Sequence, residues 1–202
     1  MTDDAIRANL SYVLHAPSRS RQVETVARDL ARARRELDAA ARRLARLPTD
    51  VLAARTLVLA PSGEPRAGSP ATALTVQVGP WRLLGRLLTA RYGRDNDARW
   101  EARIVDDPGC VDAAPVEFFR GPARLCLPVH AHPPACWFAT LVLRPGGSSL
   151  LLELTPLTDP DPDARALRVA EAAIRTHVGQ WTCSAPLWPR PAEEQLSEFL
   201  TG

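Results

Sequence analysis

Hydrophobic and polar positions follow two different periods along this chain. Between Ser20 and Pro48, apolar residues fall at Val23, Val26, Leu30, Ala33, Leu37, Ala40, Leu44 and Leu47. The steps alternate between three and four, a mean of about 3.5, which keeps one seam of a helix facing a neighbour. Ser20 suits the N-cap of this long helix and Pro48 ends it. Ahead of it, Thr2 caps a shorter helix with Ile6, Leu10, Val13 and Leu14 on its apolar face, broken at Pro17.

From Thr49 onward the period falls to two, and Pro and Gly punctuate short runs. Residues 56–59, 73–78, 100–104, 137–143 and 150–155 read as strands, with weaker signals at 117–120 and 124–129. Leu74, Val76 and Val78 share one strand face. Gly79-Pro80 starts a helix that Gly93 can end in the left-handed conformation. Pro145-Gly146-Gly147 marks a hairpin, and Asp161 with Pro162 opens a last long helix bearing Leu167, Ala170, Ile174, Val178 and Trp181. Residues 192–200 suit a short terminal helix.

The expected fold is α+β: a short helix and a long coiled-coil-like helix, then a mixed or antiparallel sheet of about six strands with packed helices. Three segments follow from the change of period: a helical segment 1–48, an α/β globular unit 49–185, and a Pro-rich connector with its short helix 186–202.

Two central Ala layers make the long seam weak alone, so it calls for a neighbour: the first helix, a second copy, or another chain. Val23, Val26, Leu30, Leu37, Leu44 and Leu47 are the residues such a partner would cover. On the opposite side Arg21, Arg28, Arg35 and Arg42 recur every seven residues. This row could contact anions, although a solvated face is the commoner use of such a run.

Composition narrows the classes. In 202 residues the net charge is +2, so the whole molecule has no strong pull toward nucleic acid or acidic lipid. All 25 basic residues are Arg, which matches the coding bias of a GC-rich genome, bacterial or of a large DNA virus. The Met1-Thr2-Asp3-Asp4 start carries no basic, apolar leader, and no run is long enough for a membrane-spanning helix. Four cysteines do not make a disulfide scaffold, so the expectation is a cytoplasmic protein (host intracellular if viral) with reduced thiols.

The strongest candidate for chemistry is Cys126, His130, His132 and Cys136, spaced Cys-x3-His-x-His-x3-Cys. Four N/S donors within eleven residues could hold zinc in a tetrahedron. Against this, both Cys lie in apolar runs, where a free thiol serves as a small core residue. Nucleophile elbows, phosphate loops and dinucleotide fingerprints are missing. The acidic cluster Asp95, Asp97, Glu101, Asp106 and Asp107 reads as a solvated strand edge. Trp181 and Trp188 read as core residues that could otherwise anchor a partner.

The stretch 124–178 joins Leu-Cys-Leu-Pro-Val, two strands about a Gly turn and an amphipathic helix. It resembles the closing half of a GAF-type sensory domain, and the long helix resembles a signalling helix feeding one. That resemblance implies a small-ligand sensor with an apolar pocket. The leading expectation is a non-catalytic protein–protein interaction or assembly subunit, dimeric or bound to another protein through the long helix. The GAF-like sensor and a metal-dependent enzyme built on the Cys/His cluster are the alternatives.

Overall fold

A computed structural model describes residues 3–68, 71–93, 100–107, 109–110, 113–127, 136–158, 160–183 and 185–188. The chain runs α1 (Asp3–Leu14), α2 (Arg21–Ala45), α3 (Thr49–Ala54), β1 (Thr56–Leu59), β2 (Ala71–Thr75), a 3-10 turn (Trp81–Leu83), α4 (Leu84–Tyr92), β3 (Trp100–Ile104), β4 (Ala114–Phe118), β5 (Gly121–Leu125), β6 (Cys136–Leu143), β7 (Leu150–Pro156), α5 (Pro162–Thr176) and a last 3-10 turn (Val178–Gln180).

The fold is α+β. A five-stranded mixed sheet has the order β1-β7-β6-β2-β3, and β4 and β5 form a separate hairpin. Only β6 and β7 pair antiparallel in the main sheet; β1 with β7, β2 with β6 and β2 with β3 are parallel. The parallel β2 and β3 are joined through α4, a crossover that the short alternating runs did not announce.

Local chemistry explains the element ends. The Ser20 hydroxyl accepts from Val23 N–H at the start of α2, and the Asp161 carboxylate accepts from Ala164 N–H at the start of α5. At the other end of α2, Arg86 donates to the carbonyls of Ala45 and Leu47 and to Thr49 Oγ1, so a guanidinium from α4 satisfies the helix's last acceptors. The six-residue α3 was missed because Pro48 marks a stop without showing that a new helix starts there. Gly93 leaves α4 extended, with φ −70°, not left-handed, while its N–H still donates to Thr89 O.

Two cores lie on opposite faces of the sheet. One gathers Leu44, Leu52, Leu84, Leu88, Leu141 and Leu152. The other gathers Val76, Phe138, Ile174 and Trp181 with Tyr12 and Val13 of α1, so the helical segment shares its interior with the α/β unit. Leu74, Val76 and Val78 do share a face there, as their alternation indicated. Gly79 is a required glycine: its φ is +59°, and a Cβ would meet Leu141 O at 2.1 Å.

The β4–β5 hairpin turns through Phe119 and Arg120, with φ of 50° and 61°. Positive φ at both central residues is what a two-residue hairpin turn needs, normally supplied by Asn or Gly. Phe119 is held there by burial, by Glu171 Oε1 accepting from its N–H at 2.6 Å, and by the Arg175 guanidinium 4.8 Å from its ring centroid. Two bulky residues at a turn explain why the sequence read 117–120 as strand.

Candidate functional site

Of the three neighbours the long helix could have, the structure supplies the first helix together with the chain's own sheet layer. Val23, Leu30, Leu37 and Leu44 are buried within this chain, at 0%, 6%, 5% and 2% exposure. Val23 and Leu30 pack with Ile6 and Leu10 of α1 and with Val178, while Leu44 joins the core beneath α3 and α4. Val26 and Leu47 are half-buried beside them. The small Ala40 admits the β6–β7 turn; a Cβ on Gly147 would sit 3.8 Å from Ala40 Cβ. The seam's demand for a neighbour is therefore met inside the chain, and no second copy is needed to cover it.

Arg21, Arg28, Arg35 and Arg42 all face solvent. Arg42 also borders a cleft of about 400 Å³ between α2 and the Trp81 turn, with Arg34, Arg82, Asp38, Trp81 and Gln77. Arg82 lies 4.5 Å over the Trp81 ring, and Arg34 donates to Thr182 O at 3.3 Å. Three guanidinium groups against one carboxylate make this cleft basic.

The Cys/His cluster takes an unforeseen form. Cys126 is disulfide-bonded to Cys110, with Cα atoms 6.2 Å apart, so the expectation of reduced thiols fails at this pair. The sequence hid it because Cys110 lies 16 residues away, in a loop. His130 and His132 lie outside the described residues, as do Asp95, Asp97 and 192–200. Cys136 is half-buried and unbonded. Among the described residues no three His, Cys, Asp or Glu side chains gather as a metal site. Burial pushes both free thiols, Cys136 and Cys183, above the usual range, which leaves neither as a ready nucleophile.

Asp106 is not on a solvated edge. It is fully buried, and its oxygens accept from Gln77 N–H and Trp181 Nε1–H, both at 2.8 Å. Gln77 Nε2 donates to Asp106 O at 2.8 Å, and the Thr182 hydroxyl donates to Gln77 O at 2.8 Å. Burial pushes the carboxyl up to about 7 against those hydrogen bonds. That value suits acid–base chemistry, but every partner is internal: the group ties the ends of β2 and β3 to the segment after α5. Trp181 and Trp188 are core residues.

His177 Nε2 lies 3.0 Å from Glu153 Oε2. Among the described residues Glu153 is the only hydrogen-bond partner of the His177 ring, so no hydroxyl or thiol completes a nucleophilic set. The pair lines a groove of about 210 Å³ with Leu59, Phe138, Thr140 and Ala172. This groove opens beside the sheet's free margin. Among the described residues β1 pairs only with β7, and Leu57 and Leu59, 55% and 51% exposed, are the only large hydrophobic side chains so exposed. The residue pattern of 56–59 indicates a strand and carries no signal of whether that strand lies at an edge.

The resemblance to a sensory domain implied an apolar pocket; between α5 and the sheet, Phe138, Val142, Ala166, Ala170 and Ile174 pack together, and the groove beside His177 runs along the same layer. No helix among the described residues is long and apolar enough to cross a membrane. No family model matches the chain, and no curated protein matches it.

Proposed function

We propose that this chain is a non-catalytic interaction or assembly subunit whose joining surface is the β1 margin of its sheet. The observation that carries this reading is the exposure of Leu57 and Leu59 on a strand with one unpaired side. Exposed apolar residues on an open edge are a liability that soluble chains ordinarily blunt with charge or cover. Here the long helix, which has the more regular apolar stripe, is spent on the interior. The β1 edge is left as the sticky surface.

The test is co-isolation from the native source of the intact chain and of a Leu57→Lys/Leu59→Lys variant. The reading requires a stoichiometric protein neighbour, identical or different, on the intact chain and its loss from the variant with unchanged thermal unfolding. An intact chain that is isolated alone and also stays monomeric in sedimentation up to about 200 µM, or a variant that keeps its neighbour, contradicts it.

A second reading keeps the small-ligand class and rests on the basic cleft beside α2. Three guanidinium groups and an indole around about 400 Å³ suit a compact anion carrying a ring. Calorimetric titration with a nucleoside monophosphate, repeated on Arg42→Ala/Arg82→Ala, decides it: saturable heat lost in the variant supports the cleft, and no heat in the intact chain rejects it.

A further inference from the structure

Resting on the interaction reading, we infer that the occupant of the β1 edge is a second copy of this chain, joined strand to strand about a two-fold axis at Val58.

The backbone dictates the register. Leu150 N–H donates to Arg55 O at 2.9 Å, and Thr56, Leu57, Val58 and Leu59 register with residues 150 to 153 in parallel. In a parallel ladder, backbone groups of alternate residues face the same neighbour. Arg55, Leu57 and Leu59 therefore turn their backbone groups toward β7, and Thr56, Val58 and Ala60 turn theirs outward. Ala60 O already accepts from Gly63 N–H at 3.0 Å. No hydrogen bond among the described residues takes the outward N–H and C=O of Val58. Val58 is the central residue of the open edge with both groups to offer.

An antiparallel copy centred on Val58 satisfies this. The two Val58 residues become a hydrogen-bonded pair, exchanging N–H and C=O in both directions. Each Leu57 then stands opposite the partner's Leu59, at the close, non-hydrogen-bonded spacing. All four leucines fall on one face, and the two Val58 side chains fall on the other, where Val58 already borders its own core. A register slipped by one residue would centre the axis on an inter-residue point and set outward-facing groups against inward-facing ones.

The pattern is thus self-complementary, as an isologous interface must be. It merges the two five-stranded sheets into one. Because the axis stands perpendicular to the sheet, both copies of α5 lie on the same side, with the leucine cluster on the floor between them. Leu59 already borders α5 through the groove it shares with Ala172 and Thr176. A four-residue strand and four half-exposed leucines make a small interface, at the weak end of specific association. The dimer is therefore in concentration-dependent exchange.

The register is tested with two single variants of the full chain, Leu57→Cys and Leu59→Cys. Both positions are exposed, so folding should be undisturbed, which circular dichroism checks. Under mild oxidation, with the linked peptides identified by mass spectrometry to set aside Cys136 and Cys183, the mixture forms a 57–59 crosslink between chains. Each variant alone gives at least tenfold less dimer. Equal crosslinking in the single variants overturns the register. No crosslink in any sample overturns the second copy. That failure stays distinct from failure of the interaction reading, which is read by co-isolation: a different protein lost from the Leu57→Lys/Leu59→Lys variant would leave that reading standing.

Discussion

The Tyr12 and Trp188 rings lie face to face, with centroids 4.4 Å apart and planes within 5° of parallel. This stack joins the first helix to the last described residues. It is reinforced where Trp188 Nε1 donates to Phe118 O at 3.0 Å and where buried Asn9 bonds both Ala185 O and Leu187 N–H. Gly121 must be glycine beneath it, since a Cβ would come within 2.5 Å of the Tyr12 ring. The segment after α5 is thus a strap that closes the molecule over α1 and the β4–β5 hairpin. Trp188→Ala should cost about 3–5 kcal/mol of stability, as truncation of a buried aromatic does. Urea unfolding followed by circular dichroism measures it, and a loss under 1 kcal/mol would mean the strap is peripheral.

The fate of the α2 stripe gives a second prediction. Leu30→Ala and Leu37→Ala should each lower unfolding free energy by about 2–4 kcal/mol, through a cavity inside one chain. Association should not change. If these substitutions instead shift the oligomeric state and leave monomer stability alone, the stripe is an intermolecular seam after all.

Much of the fold was legible because periodicity reports burial directly. The α5 stripe and the 73–78 alternation each named residues that share one core, and the α2 stripe named residues that turn inward, Val23 and Leu30 against α1 and Leu44 against the core beneath α3 and α4. What periodicity cannot report is the identity of the covering surface. Val23 and Leu30 look the same whether Ile6 and Leu10 or a second chain lies against them. Strand order is equally silent: nothing in Thr56–Leu59 distinguishes an edge from a centre, and that difference alone gives Leu57 and Leu59 their interest. Asp106 was misread because its acidic neighbours suggested solvent, while the groups that justify its burial, Gln77 and Trp181, are distant in sequence.

Asp106 makes stability depend on pH with an unusual sign. Burial pushes its folded-state carboxyl up to about 7, against about 3.9 for an aspartate in water. The folded chain therefore holds a proton that the unfolded chain has lost between those limits. This contribution is complete below about pH 4 and declines as pH rises through 7, by at most ~1.4 kcal/mol per unit. His15, held below its usual value chiefly by burial, then by Arg175 and Arg120, acts in the opposite sense. The comparison is thus between the intact chain and Asp106→Asn, by denaturant titration at intervals from pH 4.5 to 8. The variant should be less stable overall, because Asn cannot accept from both N–H donors, but should lack this decline. An identical slope in both would remove Asp106 as its source.

The Cys110–Cys126 bond yields a fourth prediction. Reduction should lower stability by about 2–4 kcal/mol, since it reopens a loop of moderate length. Intact protein should resist alkylation at both positions until a reductant is added, read by peptide mass spectrometry. Only the reduced chain has a Cys126 thiolate to offer a metal. If the Cys126, His130, His132 and Cys136 set holds zinc, elemental analysis should find it after reduction and not before. Rapid alkylation of the unreduced protein would contradict the bond.

Sedimentation velocity of the intact chain and of Leu57→Lys/Leu59→Lys, across a concentration series reaching about 200 µM, tests the central claim most directly. A charged lysine pair cannot be buried on a shared sheet face, so the variant should remain monomeric throughout. The intact chain should move progressively from monomer to dimer. An intact chain that stays monomeric to the top of the series, or a variant that dimerises equally well, would contradict an account in which this protein works by joining its β1 edge to another copy of itself.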